Sequence, residues 1–407
     1  MNRLGFLAAV GALAAAPGGA GRGWSRGSLE IHHISTGRGN STLCVFPDGT
    51  TLLIDAGAVR GNPELLAPLR PDGARRPGEW IARYVQRRLA ETSTSGIDAA
   101  LLTHFHPDHM GDVADAPQSR LGAYRLSGIT DVAELVPIRR MIDRGYPRYD
   151  YPAPRRDATL DNYRAFVAAA PRGMTTERFT VGSATQLRPV HSPAAAQAFT
   201  VRNIAANGEV WNGRDDRAVA HFPPVSGLPP ADLPDENMCS CAVRISYGPF
   251  AYFAGGDLTW TTADGDLPWR DVESPAARAA GHVDVAAVDH HGYYDGGGAA
   301  FVRALRPRVF VLQAWHATHP ALSTLDRLYS ERLYAGERDI FATAIVPASA
   351  AVNERLIGRL RATAGHIVVR VAPDGGSYVV DIVDDRDEAD RVLASFGPYV
   401  SSAIRRG

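Results

Sequence analysis

Lysine is absent: all 43 positive charges of the chain are arginine. They face 44 carboxylates, which leaves a formal net charge of −1. That balance argues against a general nucleic-acid coat or a polyanion-binding tail. Cysteine is scarce, with three in 407 residues, which excludes a disulfide scaffold and a Cys-rich zinc module. Cys239 and Cys241 are too close in sequence for an easy disulfide, and Cys44 could pair with either. No apolar run reaches the roughly 20 residues of a membrane span.

What remains is an ordinary globular balance, 45% hydrophobic and 21% charged, with 40 glycines and 28 prolines marking many turns. At about 100–200 residues per domain the length allows two or three domains, or one large α/β domain with insertions. Met1 to Ala20 reads as an export signal: Arg3, an apolar stretch from Leu4 to Ala16, the break at Pro17, then the small residues Gly18-Gly19-Ala20. Without a twin arginine, the general secretion route fits, and the expected location is periplasmic or secreted.

Alternation predicts strands at Ser28 to Ile34, Ser41 to Phe46 and Thr51 to Asp55, with a turn at Pro47-Asp48-Gly49. Helical spacing covers Trp80 to Leu89, and Ile97 to Thr103 reads as a buried strand. Strand, helix, strand implies an α/β protein. Residues 114–173 differ, being rich in tyrosine and arginine. They read as a helical insertion, with helices near Val132 to Arg144 and Leu160 to Ala170 around a Pro-rich loop from Tyr146 to Pro154. Strands resume at Phe179 to Val190, Phe199 to Ala205, Cys241 to Tyr247, Ala251 to Ala254, Val283 to Val288 and Val309 to Gln313. Leu322 to Tyr334 reads as a helix, and His366 to Val371 with Ser377 to Val383 as a hairpin. Residues 384–407 read as a C-terminal helical tail.

One segment carries chemistry: Thr103-His104-Phe105-His106-Pro107-Asp108-His109-Met110-Gly111-Asp112. Residues two apart at a strand end point the same way, so His104 and His106 can converge on one ion. Pro107 stiffens the turn that presents Asp108 and His109. Imidazole and carboxylate donors suit zinc, with manganese or iron as alternatives. Four such ligands in six residues fit two adjacent ions that share a water. With His at 13 of 407, the pattern H-x-H-x-D-H arises by chance on the order of once in a thousand such chains.

This motif resembles the signature of the metallo-β-lactamase-fold hydrolases. Thr51-Leu52-Leu53-Ile54-Asp55-Ala56-Gly57 resembles the strand ending in Asp-x-Gly that precedes it in that fold. Ala254-Gly255-Gly256-Asp257 resembles the segment with the bridging carboxylate, and Asp289-His290-His291-Gly292 the last histidine motif. Order and spacing match over about residues 28–383. Gly37-Arg38-Gly39-Asn40-Ser41-Thr42, Asn237 to Ser246, His290-His291-Gly292 and His319-Pro320 together look like the soluble hydrolase domain of competence-type DNA-uptake channels. The Tyr/Arg segment has no place in that pattern.

The resemblance implies an αββα sandwich of two mixed sheets flanked by helices, with two divalent ions at one edge between the sheets. It implies His104 and His106 on the first ion, Asp108 and His109 on the second, and Asp257 bridging both. One of His290 and His291 completes the second ion, and the other orients a ligand or touches substrate. A third histidine for the first ion is expected before Asp257. His191 is the best placed and His221 a weaker candidate, though His191 reads equally well as a surface residue at a strand end. Asp55 reads as an acceptor that orients a ligand histidine.

The implied reaction is hydrolysis by a metal-activated bridging hydroxide, available near pH 7 because two cations acidify water. Asp108 also aligns the nucleophile. His319 stabilises the oxyanion or protonates the leaving group, or is an ordinary loop histidine; His316 reads as the latter. The substrate class favoured by the resemblance is a phosphodiester or phosphate ester, taken as a small molecule or phosphoester, with no stable nucleic-acid complex and no membrane contact beyond the signal. The alternatives are a carbonyl substrate (lactone, thioester or β-lactam) and a metal-binding protein without turnover. An aspartate at position 257 and the His-His-Gly pair point away from true β-lactamases. His106 points away from the redox di-iron branch, which carries glutamate there.

Three weaker signals have competing readings. The Arg139 to Arg156 cluster either grips phosphates or merely solubilises a helix. Trp211, Trp260, Trp269 and Trp315 either line a pocket or are simply buried. Gly296-Gly297-Gly298 is either a mobile loop beside the metals or a plain turn.

Overall fold

Apolar residues on both faces of short strands set the architecture. The computed structural model describes residues 23–192 and 197–403. The expected export segment lies outside the described residues. The chain first lays down β1 (Leu29–His33), β2 (Thr42–Val45), β3 (Thr51–Ile54), β4 (Ala99–Leu102), β5 (Arg140–Asp143) and β6 (Thr175–Arg178). It then builds a second sheet from β7 (Phe199–Ala206), β8 (Glu209–Trp211), β9 (Ala218–Ala220), β10 (Ala242–Tyr247), β11 (Phe250–Ala254), β12 (Val285–Ala287), β13 (Val309–Leu312) and β14 (Asp339–Ala342). Finally β15 (His366–Val371), β16 (Ser377–Val383) and β17 (Val392–Val400) return to the first sheet, where β15 pairs antiparallel with β1.

Both sheets are mixed. The first runs β17-β16-β15-β1-β2-β3-β4-β5-β6 and the second β14-β13-β12-β11-β10-β7-β8-β9. In each, an antiparallel half passes into a parallel half, at β3–β4 and at β11–β12. Strand alternation sorts side chains between layers. In β2 and β3, Cys44, Leu52 and Ile54 enter the cluster between the sheets with Leu101, Val243, Val285 and Val369. Leu43, Val45 and Leu53 face outward into a second cluster, under helices α1 (Pro77–Thr92), α3 (Ile129–Leu135) and α4 (Ala158–Ala169). A third cluster joins the other sheet to α5 (Glu273–Ala280), α6 (Ala299–Leu305), α7 (Leu322–Tyr329) and α8 (Pro347–Ile357). Three apolar layers make four structural layers, helix–sheet–sheet–helix, the αββα sandwich of the metallo-β-lactamase fold.

The structure corrects four expectations. The helix at Val132 to Arg144 is instead α3 followed by β5, because Pro137 cannot continue a helix and Met141 and Ile142 are buried on opposite faces of the sheet. Since β5 lies between β4 and β6, the 114–173 segment contributes a strand to the core sheet and is not an insertion over its edge. The expected strand Phe179 to Val190 is a series of turns after β6. The described part of the C-terminal stretch, 384–403, is not helical: β17 pairs with β16, in keeping with its valine and aromatic residues and with Gly397-Pro398, which disfavours a helix.

Candidate metal centre

The chemistry-bearing residues all leave the carboxyl ends of parallel strands at one edge of the sandwich. Asp55 follows β3, His104 to His109 follow β4, Asp257 follows β11, Asp289 to His291 follow β12, and Gln313 to His319 follow β13. The short helix α2 (Pro107–Met110) begins at Pro107, which suits a first helical position. It carries Asp108 and His109. Two glycine loops press on its backbone. A Cβ on Gly39 would lie 2.1 Å from the Asp108 carbonyl oxygen and one on Gly57 1.9 Å from it. Asn40 N–H donates to that same carbonyl at 2.8 Å, so both glycines are needed for the close approach.

Four imidazole nitrogens surround one oxygen. From Asp257 Oδ2, His109 Nε2 lies at 3.1 Å, His291 Nε2 at 3.3 Å, His104 Nε2 at 3.7 Å and His290 Nε2 at 3.8 Å. Asp108 Oδ2 joins them, 2.8 Å from His291 Nε2 and 3.6 Å from His109 Nε2. Ligand atoms of Asp108, His109, Asp257 and His291 all fall within 4.8 Å of one another. His106 Nδ1 is 3.1 Å from His104 Nε2. His109 Nε2 and Asp257 Oδ1 are buried and have no hydrogen-bond partner. Buried polar atoms are normally satisfied, so converging unpaired imidazole and carboxylate donors fit a divalent ion.

Several of these candidate ligands are oriented from behind. Asp55 accepts from Thr103 N–H and Oγ1 at 2.8 Å and from His109 Nδ1 at 2.7 Å. His291 Nδ1 faces Asn40 Oδ1 at 3.0 Å and the Gln313 carbonyl at 3.2 Å. Ser240 Oγ is 3.3 Å from His104 Nδ1 and receives Asp257 N–H at 3.1 Å, which ties the two sheets together at the site. The main-chain N–H of Phe105, between two ligand histidines, donates to Glu236 Oε1 at 2.8 Å. Glu236 is itself held by Arg144 at 2.5 Å, with both side chains almost fully buried and the guanidinium over the Phe105 ring.

Charge follows geometry. Burial alone would lower His291, but Asp257 and Asp108 outweigh it and push it up to about 9. His109 is likewise driven well above its usual range against burial, by Asp257, Asp108 and Asp55. Asp257 goes the other way: burial opposes ionisation, yet His109, His291 and His290 hold its carboxyl well below the usual range. His104 is held well below the ordinary value by burial and by His109.

His191 is not brought to the cluster. Its Nε2 is 2.9 Å from Asp98, which precedes β4, whereas His104 follows that strand. At ~3.3 Å per strand residue, the six positions from Asp98 to His104 span about 20 Å. His191 is therefore at the wrong end of β4 to bind the first ion. His221 sits beside Phe222, also away from the cluster. His319 does reach it: the ring is 5% exposed and stacks on His291 with centroids 4.8 Å apart, and its Nδ1 is buried without a partner. His316 is half-buried, with Nδ1 against Thr318.

Most arginines of the cluster already face carboxylates. Arg139 pairs with Asp98, Arg140 with Glu177, Arg148 with Asp150, and Arg144 and Arg155 with Glu236. Of the four tryptophans, Trp315 reaches the cluster, its Nε1 3.3 Å from His291 Nδ1, while Trp269 packs on Phe222 and Trp211 under Arg202. Gly296 to Gly298 is a buried turn, its Gly297 and Gly298 N–H groups donating to Glu273 at 2.6 and 2.7 Å. Glu236, Ser240 and Asp295 went unnoticed in the sequence. The first two flank the Asn237 to Ser246 segment or lie within it; the spacing of Asp295 gives no signal.

Residues 34–120 match the family model of the Metallo-beta-lactamase superfamily. That stretch runs from the end of β1 through α2 and contains Asp55 and the candidate ligands His104, His106, Asp108 and His109. No curated protein matches the chain. Among solved structures, the chain is similar to one described as a new diphosphatase from the PhnP family, at 10% identity and a TM-score of 0.34, covering 84% of this chain and 96% of that one. It is also similar to a metallo beta lactamase from Hirschia baltica, at 14% identity and a TM-score of 0.26, covering 63% and 81%.

Proposed function

We propose that the protein is a di-metal hydrolase, with zinc as the first choice of metal, acting on a phosphodiester or phosphate ester. The observation that carries this reading is the convergence of His104, His109, His290 and His291 on one oxygen of Asp257, with Asp108 alongside. A pair of divalent cations, when bound, acidifies water and offsets charge developing on an oxyanion. His104, His106 and Asp257 would hold one ion, and Asp108, His109, His291 and Asp257 the other. Asp108 remains 14% exposed, so one edge of the site meets solvent, where this carboxylate would align an attacking water. His319, stacked on His291, places a ring nitrogen within reach of charge developing on the substrate. The aspartate bridge and the His-His-Gly pair support a phosphoester over a β-lactam. The N-terminal apolar stretch supports export to the periplasm or beyond, and the substrate is a small molecule or phosphoester.

Metal content by elemental analysis, paired with turnover of bis(p-nitrophenyl) phosphate, tests the reading. Two ions per chain and turnover that disappears in Asp257→Ala support it. Two ions with turnover only on a lactone, thioester or β-lactam would replace the substrate class. A chain that binds no zinc or manganese would sink the hydrolase reading.

A further inference from the structure

With His191 placed elsewhere, His104, His106 and Asp257 give the first ion three protein ligands beside the shared water, one fewer than Asp108, His109, His291 and Asp257 give the second. We infer that His290 is a further ligand of the first ion, and that the adjacent histidines 290 and 291 serve different ions. The inference rests on the two-ion reading above.

Three observations support it. First, the four imidazoles sort into two pairs around Asp257 Oδ2. His109 and His291 are the nearer pair and share the compact group with Asp108. His104 and His290 are the farther pair, at nearly equal distances of 3.7 and 3.8 Å, and neither belongs to that group. Second, His290 is prepared as a ligand in the way His109 is. Asp295 Oδ1 lies 2.6 Å from His290 Nδ1, as Asp55 Oδ2 lies 2.7 Å from His109 Nδ1. A carboxylate on Nδ1 fixes the proton there and leaves the Nε2 lone pair directed at the metal, the usual support of a ligating histidine. The Asp295 backbone is itself held, its carbonyl accepting Trp260 N–H at 3.0 Å.

Third, the backbone is bent to bring both rings in. His290 and His291 have φ of +48° and +55°, two consecutive side-chain-bearing residues in the left-handed region. Such conformations are uncommon for non-glycine residues and persist where the surroundings impose them, typically at functional sites. Among the described residues the competing contact at that nitrogen is long: Asn237 Nδ2 is 3.3 Å from His290 Nε2.

The test is zinc stoichiometry and stepwise affinity on the full chain, measured by elemental analysis and calorimetric titration. Wild-type protein, His290→Ala and Asp295→Asn are compared, with circular dichroism and thermal melting to verify folding. His290→Ala is expected to keep one tightly held ion and to weaken the other by more than tenfold. Asp295→Asn is expected to bind two, the weaker about 10-fold or more below wild type, the usual loss when a supporting carboxylate is removed. Two ions at wild-type affinity in both variants would overturn the assignment and leave the hydrolase reading intact. Loss of both ions from a folded His290→Ala would overturn it as well. Should His290→Ala not fold, Asp295→Asn decides alone. A wild-type chain that binds fewer than two ions removes the two-ion reading itself, and this inference with it.

Discussion

At the scale of the residue, the site is a balance of opposite charges in a largely buried cluster. Asp257 is the pivot: removing its charge leaves His109 and His291, both raised mainly by that carboxylate, facing each other without it. Asp257→Asn, nearly the same shape, is therefore expected to lower hydrolysis on the order of 100-fold or more and to release metal, which assay and elemental analysis would check. Glu236 acts one step further back. It joins the N–H between His104 and His106 to a buried guanidinium, and breaking a buried ion pair costs roughly 3–5 kcal/mol. Urea denaturation of Glu236→Gln should show a loss of that size, and metal affinity should fall with it. Although burial opposes it, Arg144 holds the Glu236 carboxyl down to about 2. Its contribution is fully present above the unfolded value of about 4.5 and is lost as pH falls toward 2.

At the scale of the element, the sequence showed some parts clearly and hid others. The His motif was legible because its ligands are local: strand end, turn and one short helix supply four of them within six residues. Asp55, Asp257 and the 290–291 pair were legible through glycine-flanked motifs only because these resemble the family's. Glu236 and Asp295 were not, since a carboxylate that orients a neighbour carries no local pattern. The helix expected at Val132 to Arg144 failed for a related reason: a short apolar run reads alike as helix or strand until its neighbours in the sheet are known. Packing between the sheets gives a direct check. Leu101 of β4 is fully buried in the central cluster, so Leu101→Ala should cost about 2–5 kcal/mol in chemical denaturation. His33 in β1 and His366 in β15 give another. Burial pushes them down to about 4 and about 3. The unfolded chain takes up these protons below about pH 6.5, so stability present above that pH is lost as it falls toward the folded values. Melting temperature should drop on acidification from pH 6.5 to 4.5, less steeply in His366→Gln; an equal slope in the variant would contradict a neutral buried His366.

At the scale of the whole molecule, the last strand fastens the two sheets. β17 closes the first sheet, while Tyr399 OH donates to Asp339 at the start of β14 at 2.7 Å, and Ser402 N–H reaches Asp284, before β12, at 2.8 Å. Truncation before Val392 would bare the β16 edge and cut these links. A lower melting temperature and concentration-dependent aggregation by light scattering are expected. The same scale explains the division between what sequence and fold decided. The sequence by itself determined the donor types, the order in which they appear and the α/β class, because periodicity and metal-ligand spacing are properties of neighbouring residues; the sandwich was what the family resemblance implied. Only the tertiary structure decided which histidines meet. His191 and His104 flank one strand at opposite ends, whereas Asp257 and His109 come from different sheets and lie 3.1 Å apart. A strand carries its two ends in fixed and opposite directions, and only the packing of one sheet on the other sets which ends share an edge.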